Sequence, residues 1–307
     1  MKPLNITILT TREDIASMNI QKQLLTFFPF RPLPNCDPWD SSWVRRQFEF
    51  LTPPVRFNLI EIEHSFITLD NIIPPSKMLG DILIYASRHR STSERKALLC
   101  HTTGNFSEDN SFGGSPRRIS KGSGILMHYL YTNLQYFVDS FPDYKVPVDH
   151  EVDHHGPTNF TQPAGFIELG STEQGWQDPF GAQIVARTII HAGKIIGEKH
   201  CQDPPNLDKK EIKVVVGFGG SHYMPSFQPI IPKGYGFVHT VPKYKVLEID
   251  AKMLDQIVEQ SLESIDAWVV DWKGLNSAEK QHLIPLLTKT EIPWMKVKQL
   301  RKGVENK

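Results

Sequence analysis

Short apolar runs alternate with longer apolar or amphipathic segments along most of the chain. Runs typical of strands lie at 4–9, 55–62, 81–85, 97–100, 148–152, 166–169, 213–218 and 267–270. Helical spacing of apolar residues predicts helices at 124–141, 179–196, 251–262 and 277–287. A further helix is predicted to begin near Arg12, with Thr10 or Thr11 as its N-cap.

This alternation predicts an α/β sandwich with a largely parallel sheet. The β-branched run at 213–218 is typical of a central parallel strand. We interpret 29–54, rich in proline and tryptophan, as irregular, and 105–123, rich in small polar residues and glycine, as a loop. Because no repeat and no shift in composition marks a boundary, we expect a single domain over 1–307.

Composition narrows the class of protein. The 34 basic residues equal the 34 acidic ones, which argues against a protein that coats nucleic acid without sequence preference. The three cysteines form no CxxC, so neither a disulfide framework nor a zinc ribbon is indicated. No apolar stretch reaches the ~20 residues of a membrane span. We therefore expect a cytoplasmic protein that does not contact a membrane.

Polar groups follow five predicted strands. They are the segments SRHRS (87–91), HTTGN (101–105), DHHGP (153–157), ELGSTE (168–173) and GGSHY (219–223). Ligands of open α/β sheets bind at the carboxyl ends of the strands. These segments therefore predict a shared site there.

The segment EVDHHGPT (151–158) holds the strongest metal-binding signal. Side chains of adjacent residues alternate along a strand, but a turn at Gly156–Pro157 lets His154 and His155 converge. Imidazoles bind zinc, and Glu151 could complete the site or orient a ring. A solvated polar loop is the alternative interpretation.

The other polar segments have competing interpretations too. His222 follows glycines that allow close approach of a ligand. Glu168 is a candidate general base, although a glutamate at a helix start is common for dipole reasons. His89 with Arg88 and Arg90 could bind phosphate or form a surface basic cluster.

Eight blocks, in order along nearly the whole chain, resemble the archaeal and plant family of D-aminoacyl-tRNA deacylases. They are ASMNI (16–20), ASRHRS (86–91), HTTGN with FGG (112–114), EVDHHGPT, FIELGSTEQGW (166–176), VGFGGSHYMP (216–225), VHTVPKY (238–244) and VVDWKG (269–274). Asp153, Ser221 and Val238 depart from the family pattern of Thr, Gly and Gly. The departures put substrate range in doubt more than reaction class.

The resemblance implies hydrolysis of the ester between a D-amino acid and the 3′ acceptor end of tRNA. It also implies zinc, up to two ions per subunit, and a three-layer sandwich with a mostly parallel mixed sheet, like peptidyl-tRNA hydrolase and purine nucleoside phosphorylase. We expect a monomer or small homo-oligomer. The alternatives are a zinc amidase or esterase for small molecules and a noncatalytic tRNA- or nucleoside-binding module.

For the implied reaction we name candidate residues. The candidate catalytic residues are His154, His155, Glu168, His222 and His89. The candidate zinc ligands are His154, His155, His222 and Glu151, and histidine-assisted attack by water without zinc is the alternative. The candidate substrate- or tRNA-binding residues are Arg88, His101, Asn105, Gly219, Gly220, His239, Arg117, Arg118 and Lys121, with the Gly219 and Gly220 amides as oxyanion donors.

Overall fold

The computed structural model describes residues 2–34, 43–73, 80–92, 94–202 and 212–302. One of the three cysteines, Cys36, and the basic pair Lys209 and Lys210 lie outside the described residues. None of the described helices is long and apolar enough to cross a bilayer.

Eight strands form a large mixed sheet in the order β2-β3-β4-β1-β5-β8-β6-β7. They are β1 (Leu4–Thr11), β2 (Arg31–Leu33), β3 (Val44–Thr52), β4 (Val55–Ile62), β5 (Ile82–Arg90), β6 (Ala97–His101), β7 (Val148–His150) and β8 (Ala164–Ser171). The pairs β4–β1, β1–β5, β5–β8 and β6–β7 are parallel. By contrast, β6 is antiparallel to β8, so β6 and β7 run against the direction of β5 and β8.

Four further strands form a second, wholly parallel sheet in the order β10-β9-β11-β12. They are β9 (Lys213–Phe218), β10 (Tyr235–Val241), β11 (Ala267–Val270) and β12 (Trp294–Lys296). The predicted strand at 213–218 is therefore central and parallel, as expected, but it belongs to this smaller sheet.

Seven α-helices are described: α1 (Ile15–Phe27), α2 (Gly124–Asp139), α3 (Glu173–Trp176), α4 (Pro179–Gln202), α5 (Ala251–Glu259), α6 (Ser277–Thr288) and α7 (Val297–Lys302). Helix α2 contacts β6, β7 and β8 of the large sheet and β9 and β10 of the small one. Its nearly all-apolar sequence is explained by this position, because both of its sides are covered. The predicted α/β architecture with a large, mostly parallel mixed sheet is confirmed.

Two local predictions were wrong. Segment 29–54 contains the antiparallel strands β2, at the sheet edge, and β3 beside it, which sequence reading missed because most of their side chains are exposed or half-buried. Helix α1 is capped by Asp14, whose carboxylate accepts a hydrogen bond from the Ser17 amide at 3.1 Å, whereas Thr10 and Thr11 end strand β1.

The two faces of the large sheet are covered differently. Ile6, Ile84 and Ile167 face the main core, which includes α1, α2 and α4. Residues of alternate parity, among them Tyr85 and Phe166, join a smaller aromatic cluster with Phe66 on the opposite face. The candidate site continues this second face.

Candidate active site

The polar strand residues converge across one face of the large sheet rather than along one edge. Ser87 of β5 and Leu99 of β6 both pair with Glu168 of β8, and His89 pairs with Gly170. Directly paired residues project to the same face, so His89, Glu168 and His101 share it. The prediction that all carboxyl ends meet at one edge was wrong for β6 and β7, because those strands run the opposite way.

Glu151, just beyond β7, forms the centre of one half of the site. Its carboxylate is fully buried, with Oε1 3.0 Å from His89 Nε2 and 2.9 Å from His222 Nε2. His89 Nδ1 lies 2.9 Å from the Ser171 hydroxyl, which orients the ring. Burial alone would raise the pKa of Glu151, but His222 and His89 hold it well below its usual value.

His154 and His155 form the other half. The Nδ1 atom of His154 lies 2.8 Å from the Val152 carbonyl, and that of His155 lies 2.6 Å from the Gly156 carbonyl. A carbonyl can only accept, so each Nδ1 carries the proton and each Nε2 keeps its lone pair. The two rings lie 4.5 Å apart, and the His154 ring lies 4.6 Å from that of His222.

His101 connects the two halves. Its buried ring lies 4.4 Å from His154 and 5.0 Å from His155, and its Nε2 is 3.8 Å from the Glu168 carboxylate. Glu168 is fixed in turn by the Ser87 hydroxyl, which donates to it at 2.6 Å. The site thus contains five imidazoles and two buried carboxylates.

The histidines differ in their protonation. Burial, together with the charge of His101, lowers the pKa of His155 to about 4, and burial holds that of His154 well below its usual range. Burial would also lower the pKa of His101, but the Glu168 carboxylate raises it to about 9. At neutral pH the site therefore offers two neutral imidazoles beside one imidazolium.

Two buried atoms at the site, Nε2 of His101 and Oε2 of Glu151, have no hydrogen-bond partner among the described residues. Oε1 of Glu151 has the ion-pair contacts with His89 and His222 described above. Donor atoms lie within 4.8 Å of one another in three overlapping sets: His101, His154 and His155; His89, Glu151 and His222; and His101, Glu151 and Glu168. Because unpaired buried polar atoms are costly, this arrangement is suited to a bound divalent metal ion.

Comparison with known proteins agrees with the blocks noted in the sequence. Residues 77–295 match the family model described as D-aminoacyl-tRNA deacylase. A protein named D-aminoacyl-tRNA deacylase from Methanosarcina acetivorans is 30% identical over 96% of this chain and 93% of its own length. The chain belongs to the D-aminoacyl-tRNA deacylase family.

Two further matches cover nearly the whole molecule. The D-aminoacyl-tRNA deacylase of Methanosarcina barkeri is 29% identical over 98% of this chain and 92% of its own. The crystal structure of AF0625, described as a conserved protein of unknown function, superposes with a TM-score of 0.79 at 26% identity, covering 98% of both chains. The family fold therefore extends over the full length of this deacylase-family chain.

The six residues given catalytic or metal-binding roles from the sequence are all brought together, and one of the predicted substrate-binding residues joins them. Glu151, His154, His155, His222 and Glu168 meet at the site, as do His89 and His101. The idea that His89 belongs to a surface basic cluster was wrong, because its ring is buried against Glu151 while Arg88 and Arg90 are exposed. Glu168 lies within strand β8 and not at a helix start.

Three of the predicted substrate-binding residues use their polar groups in hydrogen bonds within the protein. The Asn105 side chain donates to the carbonyls of Gly113 and Ser115 and so shapes its own loop. The Gly219 amide donates to the Val241 carbonyl at 2.9 Å, so it is not free to stabilise an oxyanion. His239 is buried against Asp153, with Nδ1 2.6 Å from the carboxylate, and does not line the site. The role predicted for the Gly220 amide stays a prediction.

The basic residues are spread out. Arg88 is exposed with its guanidinium 5.4 Å from the Trp176 ring, and Arg117 pairs with Asp250 at 2.8 Å. Arg118 is exposed, and its carbonyl accepts from Asn105 near the His155 turn. The Lys121 carbonyl accepts from Ala164, at the end of β8 remote from Glu168. At about 3.3 Å per residue, four residues of strand put the Lys121 backbone ~13 Å from Glu168 along β8.

Sequence reasoning missed Ser87 and Ser171 as partners of Glu168 and His89. Both lie inside quoted blocks, so their position was visible, but a serine that orients a neighbouring strand's side chain has no pattern of its own. The available signal was that Ser87 and His89, two residues apart on one strand, project to the same face of the sheet.

Proposed function

We propose that this chain hydrolyses the ester bond between a D-amino acid and the 3′ end of tRNA, releasing the free D-amino acid and tRNA. Membership of the family supports the reaction. The observation that supports the location is the pair of buried atoms Nε2 of His101 and Oε2 of Glu151, neither of which has a hydrogen-bond partner among the described residues.

Hydrolysis of this ester needs few catalytic groups. An aminoacyl ester is already activated, so a positioned water and a donor for the oxyanion suffice. His155 is neutral at pH 7 with its Nε2 lone pair available, and we assign it the role of accepting the proton of the attacking water. His101 is an imidazolium at that pH and stabilises negative charge on the carbonyl oxygen. Glu168 keeps His101 charged, a role different from the general base first predicted.

The residues present fit zinc. His154 and His155 offer Nε2 lone pairs, and the carbonyl partners of their Nδ1 protons fix the rings as is common for zinc-bound histidines. We propose one ion held by His154, His155 and His101, and a second by His222, His89 and Glu151. The first ion would occupy the Nε2 lone pair of His155 and displace the proton of His101, so its binding would replace the metal-free roles given above to these two residues. Zinc bound there would supply a Lewis acid and lower the pKa of water at the site.

The decisive experiment compares D-tyrosyl-tRNA with L-tyrosyl-tRNA, before and after removal of metal by a chelator. We expect the D ester to be hydrolysed much faster, with loss of activity on chelation and recovery on adding zinc. Equal rates on the two enantiomers would remove the chiral assignment. Full activity in protein shown by elemental analysis to lack zinc would leave the reaction to the histidines alone.

The same assay separates the other candidate functions. Hydrolysis of D-tyrosine methyl ester as fast as the tRNA ester would favour a small-molecule esterase. Binding of tRNA without turnover of either ester would favour a noncatalytic module.

A further inference from the structure

A cavity of about 160 Å³ opens beside His155 and Glu168 on the same face of the large sheet. It lies between β5, β8, the start of α1 and the 3-10 helix Phe66–Asn71. Its size is comparable with cavities of ~150 Å³ that hold a benzene ring. The cavity shares two residues with the site but extends away from Glu151 and His222, so it is space for part of a substrate.

The charges that line the cavity are mostly negative. Glu13, Asp14 and Glu168 contribute carboxylates, against one guanidinium from Arg88, which lies over Trp176. Asp14 is buried and held in place, because it accepts from the Ser17 amide at 3.1 Å and from the Arg88 amide at 2.7 Å. Each carboxylate oxygen has two lone pairs, so Asp14 can accept a further donor from the cavity.

The opposite lining is apolar. Phe66, Ile67 and Phe166 line the cavity, and the rings of Phe66 and Phe166 meet edge to face at 5.8 Å. Phe166 also stacks on the His101 ring at 5.1 Å and lies 5.0 Å from the His155 ring. The aromatic wall therefore leads directly to the catalytic imidazoles, one of which, His101, has a buried Nε2 without a hydrogen-bond partner among the described residues.

We propose that this cavity is the aminoacyl subsite: the carboxylates of Asp14 and Glu13 bind the α-ammonium group, and Phe66, Ile67 and Phe166 receive the side chain. The inference rests on the proposed function, because it is the ester at His155 that brings an amino acid to this place. An α-ammonium is the cation that every unmodified aminoacyl ester carries, and it matches the excess of carboxylates. The preferred substrates are accordingly esters with a free amine and an aromatic or apolar side chain.

Three fixed contacts also select one hand of the α-carbon. With the ester at the imidazoles and the side chain on the aromatic wall, only one enantiomer points its ammonium at Asp14. The other enantiomer must leave the ammonium unpaired or place it against Phe66 and Phe166. Burying an unpaired charge is costly, so this second enantiomer is excluded.

The test compares D-tyrosyl-tRNA with N-acetyl-D-tyrosyl-tRNA, in which acetylation removes the charge of the amine. Hydrogen bonds to charged groups are strong enough for roughly tenfold effects or more, so we expect kcat/KM of the intact protein to fall at least about tenfold on acetylation. Asp14→Asn should lower the ratio of kcat/KM for the free amine to kcat/KM for the acetylated ester by a similar factor. Asparagine can still cap α1 at the Ser17 amide, but it removes the acceptor of the Arg88 amide, and the acetylated ester measures that structural loss in the same protein.

Two further variants keep the test sharp. Glu13→Gln, at an exposed position with no packing to lose, should act in the same direction but more weakly. Asp81→Asn is the matched control, because Asp81 also accepts from a backbone amide but lies at the far end of β5; both esters should react as with the unmodified protein.

The outcomes separate the two levels of the proposal. Equal rates on both esters, or equal losses on both in Asp14→Asn, would overturn the subsite while the deacylase function stands. No hydrolysis of either ester by the intact protein would overturn the proposed function and the subsite with it.

Discussion

At the scale of single residues, the site depends on which nitrogen of each imidazole is free. His154 and His155 use Nδ1 on backbone carbonyls and present Nε2 to the pocket. We expect His155→Ala to reduce the deacylation rate by roughly 10²–10⁴-fold, the usual value of a general acid–base group. His191→Ala, which changes a histidine on α4 bound to Asn133, should leave the rate unchanged.

The zinc content of the alanine variants distinguishes a metal-binding role from a role in proton transfer. If His154 and His155 are ligands, elemental analysis of either alanine variant should show less zinc together with less activity. Full zinc with lost activity would assign them to proton transfer alone. A near-normal rate in His155→Ala would refute both roles.

The pair of His101 and Glu168 predicts a pH-dependent stability for the metal-free protein. The folded pKa of His101, about 9, lies above its ordinary value of 6.5. A group with a raised folded pKa contributes its full stabilisation at pH values below its unfolded pKa. This contribution is lost as pH rises from ~6.5 through ~9. The urea midpoint of chelated protein should therefore fall between pH 6.5 and 9.

Glu168→Gln should flatten this dependence, because it removes the carboxylate that raises the pKa of His101. Titrations at pH 6.5 and pH 9.5 on both proteins suffice. An unmodified protein with the same midpoint at both values would contradict the pairing of these two residues.

At the scale of elements, the segment that carries His154 and His155 is fastened to β10 of the small sheet. The Asp153 amide donates to the Thr240 carbonyl at 2.9 Å, its carboxylate accepts from the Thr240 amide at 2.9 Å, and its other oxygen lies 2.6 Å from His239 Nδ1. Asp153, which stands where the family pattern has threonine, therefore places its carboxylate against His239.

Removing the Asp153 carboxylate leaves two buried donors, the Thr240 amide and the His239 ring, without an acceptor. Asp153→Ala should lower the free energy of unfolding by roughly 1–3 kcal/mol for each, measured by urea denaturation. Asp250→Ala, which removes an exposed helix cap, should cost only ~1 kcal/mol. A loss for Asp153→Ala no larger than that of the control would show that the pair does not hold the segment.

At the scale of the whole molecule, a chain with no net charge would bind the proposed tRNA substrate through local groups. Arg118 is exposed near the His155 turn, whereas Lys121 lies towards the other end of β8 and Arg117 is paired with Asp250. We expect Arg118→Gln to weaken tRNA binding and to reduce the slope of log affinity against log salt by ~0.7, the value of one contact to a single strand.

Lys121→Gln is the matched control, since it removes the same charge away from the site. Its salt slope should equal that of the unmodified protein. Equal changes in the two variants would indicate that charge acts over the whole surface rather than at the entrance of the site.

The sequence by itself determined the α/β class, the main helices and the identity of the chemical groups. Helix α2 was found because apolar residues recur along its whole length, and β9 because its β-branched run needs cover on both faces. His154, His155, His222 and Glu151 were found because histidines and carboxylates beside Gly and Pro have few roles in a core. Such signals are local, so one chain segment contains them.

Only the tertiary structure decided where those groups meet. The reversed direction of β6 and β7, the separate small sheet and the place of β3 between β2 and β4 depend on pairing between chain segments, which local periodicity does not encode. For the same reason His101 changed from a substrate-binding candidate to the imidazolium between two donor sets, and Asp153 became the partner of His239. The cavity beside His155 is likewise made by Asp14, Phe66 and Phe166 from three separate segments, and no one of these segments reveals it.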